Sequence, residues 1–289
     1  MFQNKKESST SAKESLSATK DSQVVTNATE PANDMYTYAV KRDLRLLDFS
    51  KLLVDVEVSE EQSAWFERVN AGVEKYMNGP DYDASHDYEH CIRVVWNSHR
   101  LWQAEKHHGW AKDVDPIVVY LAALIHDVGD HKYAGVDTMI VTDNDKWKRH
   151  RDAIREFIDV HGVPPEIAGP APELAAYVSY ARESHNPAWI SAAAETYPAL
   201  RFVQDADRLD ALGAMGITRI SYQGGAKEAR SYNTILTVAE LIDERFSRYP
   251  GFMRTETGRK EGERKLAYMV QFKEAMLEQA GYEVIMKVE

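Results

Sequence analysis

The segment that most restricts how this chain can fold is Ile117–Lys132, IVVYLAALIHDVGDHK. Nine apolar residues, Ile117 to Ile125, run without a polar interruption. Such a run is either a buried strand or a buried helix. Asp115-Pro116 just before it reads as a helix start, and Ala122, Ala123 and Leu124 favour helix. The segment is therefore expected to be a helix buried on most sides. At its C-terminal end His126, Asp127, Asp130, His131 and Lys132 fall within seven positions. Packing does not call for an imidazole and a carboxylate side by side at the end of a core helix. A divalent metal ion does, because both groups are its usual ligands.

The rest of the chain reads as helical from Ser59 onward. Ser59-Glu60-Glu61-Gln62 is a capping-box start, followed by Trp65, Phe66, Val69, Val73 and Tyr76 at helical spacing. Asn78-Gly79-Pro80 ends that helix. Ser85 is expected to cap a second, from about His86 to His107. Beyond the buried helix, the pattern predicts helices over Asp145–Val160, Pro164–Ala181, Pro198–Ile220, Asn233–Tyr249 and Glu261–Ala280, with Gly224-Gly225 as a loop. No alternating strand pattern and no internal repeat is visible, so the expected class is all-α. Residues 1–34 are rich in Ser, Thr, Lys, Glu and Asn with Phe2 their only aromatic, and read as a disordered tail. Residues 35–289 are expected to form a single helical domain, with closing helices after residue 228.

Charge and cysteine usage bound the function. A formal net charge of −11 disfavours broad binding to nucleic acid or anionic membranes, though a small phosphorylated substrate needs only a local basic pocket. The single cysteine, Cys91, rules out an intramolecular disulfide and fits a reducing compartment, the cytoplasm or the nucleus. No apolar run approaches the roughly 20 residues of a membrane span.

Two further constellations accompany the His-Asp pair. In SHDYEHCIRV, His86 and His90 lie four apart with Arg93 a turn beyond, on one helix face if the helix begins where Ser85 suggests. In VQDADRLDALGAMGI, Asp205, Asp207 and Asp210 sit among Phe202, Val203, Leu209, Leu212 and Ile217. Carboxylates at the edge of an apolar face are seldom buried unless paired or bound to metal. His150, in WKRHRDAIREF, reads as a solvated face, and His185, in RESHNPAW, as a helix end.

Together SHDYEHCIRV, ALIHDVGDHKY and VQDADRLDALGAMGITR resemble the HD-domain phosphohydrolase superfamily, and within it the bacterial HD-domain nucleoside triphosphate pyrophosphohydrolases and their uncharacterised fungal homologues. The resemblance covers roughly residues 61–227 and implies an HD-domain helical bundle. It implies one divalent ion (Mn²⁺, Mg²⁺, Ni²⁺ or Fe²⁺) held by His90, His126, Asp127 and Asp207. His90 is chosen over His86 because it precedes the turn Cys91-Ile92-Arg93-Val94. After Lys227 the chain reads EARSYNTILTVAELIDERF, where such proteins usually carry an aromatic and His-rich run, so the substrate end is expected to differ.

A metal on these ligands would activate a water and polarise a phosphoryl oxygen. Asp130, three residues after Asp127, is the candidate for moving the proton. His86 is expected beside the metal ligands or on a phosphate oxygen, with Lys132, Arg93 and Arg208 as candidates for neutralising phosphate charge. The expected activity is hydrolysis of a phosphate ester or anhydride, on a nucleotide above all. The alternatives are an HD-fold regulatory or binding module without turnover, and hydrolysis or oxygenation of a non-phosphate substrate. The expected partner is a small phosphorylated molecule, without nucleic acid or membrane. Whether the chain forms a homo-oligomer is left open.

Overall fold

The computed structural model of the chain describes residues 46–53, 56–80, 82–130, 142–226 and 234–281. The expected tail over residues 1–34, Lys132 and Lys227 lie outside the described residues. Among the described residues there is no strand, and the fold is an all-α bundle.

Local chemistry explains where the first helices begin. Helix α1 (Glu60–Met77) starts at the capping box read from the sequence: Ser59 Oγ accepts from the Gln62 N–H, and Gln62 Oε1 accepts from the Ser59 N–H. Helix α2 (Tyr88–Glu105) starts later than Ser85 suggests. Its N-cap is Asp87, whose carboxylate accepts from the His90 N–H, while Ser85 and His86 belong to the preceding turn. Helix α3 (Pro116–Ile125) is the nine-residue apolar run with Pro116 at its first position, and Asp115 caps the Ile117 N–H.

The later boundaries depart further from the sequence pattern. Thr142 caps α4 (Asp143–Val160) two residues before the expected start. The stretch read as one helix over Pro164–Ala181 is three pieces, α5 (Pro165–Ala168), α6 (Pro170–Ala176) and α7 (Tyr180–His185), because prolines restart the first two. Helix α8 (Pro187–Thr196) follows. The stretch Pro198–Ile220 divides into α9 (Ala199–Asp210) and α10 (Gly213–Ala226). The break falls at Ala211-Leu212, where Gly213 takes a φ of +72° that few other residues tolerate. Gly224-Gly225 is the last turn of α10 and not a loop. Helix α11 (Leu236–Glu244) leads through a 3-10 turn (Phe246–Phe252) into α12 (Glu256–Ala280), five residues earlier than Glu261.

Helices α2, α3 and α9 pack against one another at the centre, with α6 beside α3 and α12 against α9 and α10. Val119, Tyr120, Leu121, Leu124 and Ile125 of α3 have no exposed surface. Fully burying an aliphatic or aromatic side chain of this size stabilises by roughly 1.5–3 kcal/mol each. That burial seats α3 in the bundle, so the residues at its C-terminal end are held rigidly.

Asp205 ties the centre to the C-terminal segment. Its carboxylate accepts from the backbone N–H groups of Arg254 and Thr255 and from the Thr255 hydroxyl, at the entry to α12. Two residues later on α9, Asp207 points the other way, toward the ends of α2 and α3.

Candidate metal centre

Four donor atoms converge where α2, α3 and α9 meet. His90 Nε2 lies 3.4 Å from Asp127 Oδ2 and 3.4 Å from Asp207 Oδ1. His126 Nε2 lies 3.5 Å from Asp127 Oδ2 and 3.9 Å from Asp207 Oδ1. These separations are long for hydrogen bonds. His90 Nε2, His126 Nε2 and Asp127 Oδ2 are buried and have no hydrogen-bond partner among the described residues. Buried polar atoms without partners are costly, and three of them aimed at one point fit a shared cation.

The surroundings fix the tautomer of each imidazole. The His90 Nδ1–H donates to Asp210 Oδ2 at 2.8 Å, and the His126 Nδ1–H donates to the Ala123 carbonyl at 2.8 Å. In each ring this leaves the Nε2 lone pair directed into the cluster. Asp210 is fixed in turn. Arg93 Nε donates to its Oδ1 at 2.8 Å, and Arg93 Nη2 and Arg219 Nη1 donate to Oδ2 at 3.2 and 3.0 Å.

Electrostatics point to the same charge at the centre. Burial would raise the Asp127 carboxyl, but His126, His90 and His86 hold it well below the usual carboxylate range. Burial opposes ionisation of Asp207 too, and His90 and His126 keep its pKa low. Burial and Arg219 disfavour charge on His90, yet Asp127, Asp207 and Asp210 lift its pKa to about 10. Both carboxylates are thus held ionised, the state in which they could bind a cation.

The cluster opens into a cavity of about 340 Å³. His86, His126, Asp127, Asp130 and Asp207 line it. Asp130 is buried there, but not by helical periodicity. Helix α3 stops at Ile125, and Asp127–Asp130 form a turn closed by the Asp130 N–H on the Asp127 carbonyl at 3.3 Å. Gly129 makes that turn with a φ of +71°. His86 lies before α2 and not on its inward face, with Nδ1 2.7 Å from Ser85 Oγ and its ring 5.7 Å from that of His90.

The structure does not bring Arg93 and Arg208 to the cavity wall. Arg93 is committed to Asp210. Arg208 is 1% exposed, ion-paired with Glu183 and donating to the Phe252 carbonyl at 3.0 Å. Burial and Arg254 pull its pKa down to about 9.

Several wall residues were not visible from the sequence. His150 of α4, read there as solvated, is 2% exposed and lines the cavity. Arg219, Tyr180, Arg245 and Tyr249 line it as well. The acidic spacing of Asp207 and Asp210 was a usable signal for a carboxylate behind the cluster, whereas nothing local marked the wall residues from α7 onward.

The HD domain family matches residues 87–212 of the chain. The uncharacterized protein YpgQ of Bacillus subtilis (strain 168) is 27% identical over 195 residues, covering 66% of this chain and 83% of that protein. Among solved structures, the chain is similar to a Lactobacillus plantarum protein at 21% identity and a TM-score of 0.52, covering 77% of this chain and 98% of that one. It is also similar to an HD-superfamily hydrolase from Bacillus thuringiensis at 23% identity and a TM-score of 0.50, covering 77% and 97%.

Proposed function

The chain carries an HD domain over residues 87–212, and on that premise we propose that it is a metal-dependent phosphohydrolase acting on a nucleotide. The observation that carries this reading is the convergence of two imidazoles and two carboxylates, three of whose donor atoms are buried without a hydrogen-bond partner among the described residues. His90, His126, Asp127 and Asp207 would hold one divalent ion. A mixed nitrogen and oxygen set of this kind suits Mn²⁺, Ni²⁺ or Fe²⁺, and Mg²⁺ where the oxygens dominate. When bound, the ion supplies Lewis acidity toward a phosphoryl oxygen and an attacking water.

The chain's own groups do the rest. Asp210, clamped by Arg93 and Arg219, holds His90 in position. Asp130, on the turn beside Asp127, is placed to take a proton from the water or return one to the leaving oxygen. His86, steadied by Ser85, sits on the cavity wall where it can donate to a phosphoryl oxygen. The nucleotide assignment rests on the motif resemblance and on a cavity large enough for a phosphorylated nucleoside.

The test is a nucleotide screen on Mn²⁺-loaded protein, with products identified as phosphate or pyrophosphate. Turnover of at least one nucleoside phosphate is expected. Stoichiometric metal with no release from any nucleotide would instead favour a binding module.

A further inference from the structure

Helix α9 is held from two sides. Asp207 and Asp210 point toward the ends of α2 and α3, Asp207 at the cluster and Asp210 behind His90. On its other side α9 grips the segment that enters α12. Asp205 has no exposed surface and takes three donors there: the backbone N–H groups of Arg254 and Thr255 at 2.9 and 2.8 Å, and the Thr255 hydroxyl at 2.7 Å. One residue earlier, Gln204 Oε1 accepts from Arg254 Nε at 2.5 Å, and one turn later Arg208 Nη1 donates to the Phe252 carbonyl at 3.0 Å. These partners all lie beyond residue 212, where the HD domain match ends.

A glycine keeps the room for this arrangement. Gly258 is buried in the first turn of α12, and a Cβ there would lie 2.5 Å from Asp205 Oδ2 and 2.6 Å from Thr255 Oγ1. Within a helix glycine is less stable than alanine, so helix formation alone would favour alanine at this position.

The buried Phe202, Val203, Ala206 and Leu209 seat α9 in the bundle, but apolar contacts are non-directional. Hydrogen bonds are directional, and those of Asp205 fix how α9 is turned about its axis. Asp205 and Asp207 are two residues apart, roughly 200° around one rigid helix, so neither carboxylate moves without the other. A rotation that lets Asp205 follow a displaced Arg254 and Thr255 carries Asp207 Oδ1 away from His90 and His126, now 3.4 and 3.9 Å distant.

We propose that Asp205, held against Arg254, Thr255 and Gly258, is a positioning residue for the metal centre: it sets the rotation of α9 and so places Asp207 beside His90, His126 and Asp127. This rests on the metal-dependent reading above. It also makes the entry to α12, outside the HD domain match, a working part of that centre.

The experiment measures, on the full chain, Mn²⁺ affinity by titration calorimetry and Tm by scanning calorimetry. Gly258→Ala should weaken Mn²⁺ binding roughly ten- to a hundredfold, the range for groups that orient metal ligands. Thr255→Val, which removes one donor to Asp205, should weaken it about three- to tenfold, and Thr255→Ser, which keeps the hydroxyl, should restore it. Leu52→Ala truncates a core side chain on the 3-10 turn at Phe49–Leu52, packed on α1, and should lower Tm while Mn²⁺ affinity stays at the wild-type value. If Gly258→Ala does not fold, the two Thr255 variants decide the matter. Wild-type affinity in Thr255→Val overturns the proposal, as does an equal loss in Leu52→Ala, which would mark a general effect of stability. A wild type that binds no Mn²⁺ removes the metal reading itself and the proposal with it; Mn²⁺ binding that is indifferent to these substitutions removes the proposal alone.

Discussion

Asp210→Asn isolates the group behind the proposed metal ligands. In the native protein four donors fall on two carboxylate oxygens: His90 Nδ1, Arg93 Nε, Arg93 Nη2 and Arg219 Nη1, at 2.8 to 3.2 Å. Burial resists ionisation there, but His90, Arg219 and Arg93 hold the Asp210 carboxyl well below the usual carboxylate range. Asparagine has the same shape and one oxygen. If that oxygen serves His90, Nη2 and Nη1, the amide NH₂ is forced against the Arg93 Nε–H. One charge-assisted bond becomes a donor–donor contact, and two guanidinium groups lose their counter-charge. A charge-assisted bond contributes about 1.5–3 kcal/mol, and breaking a largely buried pair costs about 3–5 kcal/mol. With Arg93 partly exposed, about 3 kcal/mol is the expected loss of stability. For a chain of this size that lowers Tm by roughly 6–12 °C. Metal affinity should fall about 10–100-fold, because His90 is no longer held by an anion. Calorimetric unfolding and Mn²⁺ titration measure the two effects. A variant with wild-type Tm and wild-type metal affinity would refute the argument that Asp210 organises the centre.

Other substitutions probe the remaining parts. His126→Ala and Asp207→Ala should each abolish metal binding while circular dichroism keeps its helical signal; metal at wild-type stoichiometry would remove that residue from the ligand set. Asp130→Asn should retain metal while the rate falls roughly 10²–10⁴-fold, and an unchanged rate would end its proton-handling role. Gly129→Ala should destabilise by about 2–4 kcal/mol, read as a lower Tm. The position has a φ of +71°, and a Cβ there would lie 2.6 Å from the Ala153 Cβ.

The apolar run of α3 and the three motifs could be read without coordinates because their signals are local. A nine-residue apolar run, a His-Asp end and a spaced acidic trio each fit in one window. Boundaries were less legible where two signals compete. Ser85 and Asp87 both suit an N-cap, and only the structure shows that Asp87 meets the His90 N–H. The break at Ala211-Leu212 was hidden because α9 and α10 are both amphipathic, and the sole clue, Gly213, also occurs inside helices. The arginines show the other limit. Arg93, Arg208 and Arg219 are alike as letters, and their roles are set by partners distant in sequence. Arg93 meets Asp210 across 117 positions and Arg208 meets Phe252 across 44. His150 was misread for the same reason: its charged neighbours on α4 describe the opposite side of the helix.

The Asp205 clamp has a consequence for the order in which the chain is made. Asp205 and Asp207 share a helix, yet the backbone donors that satisfy Asp205 lie 49 and 50 residues downstream. At typical translation rates those donors are synthesised on the order of 3–10 s after α9. During that interval every motif of the HD pattern already exists as polypeptide, while a carboxylate on its central helix still lacks the groups it will be buried against. A nascent chain stalled before Arg254 should therefore remain open to proteases at α9, and one released past Thr255 should become resistant.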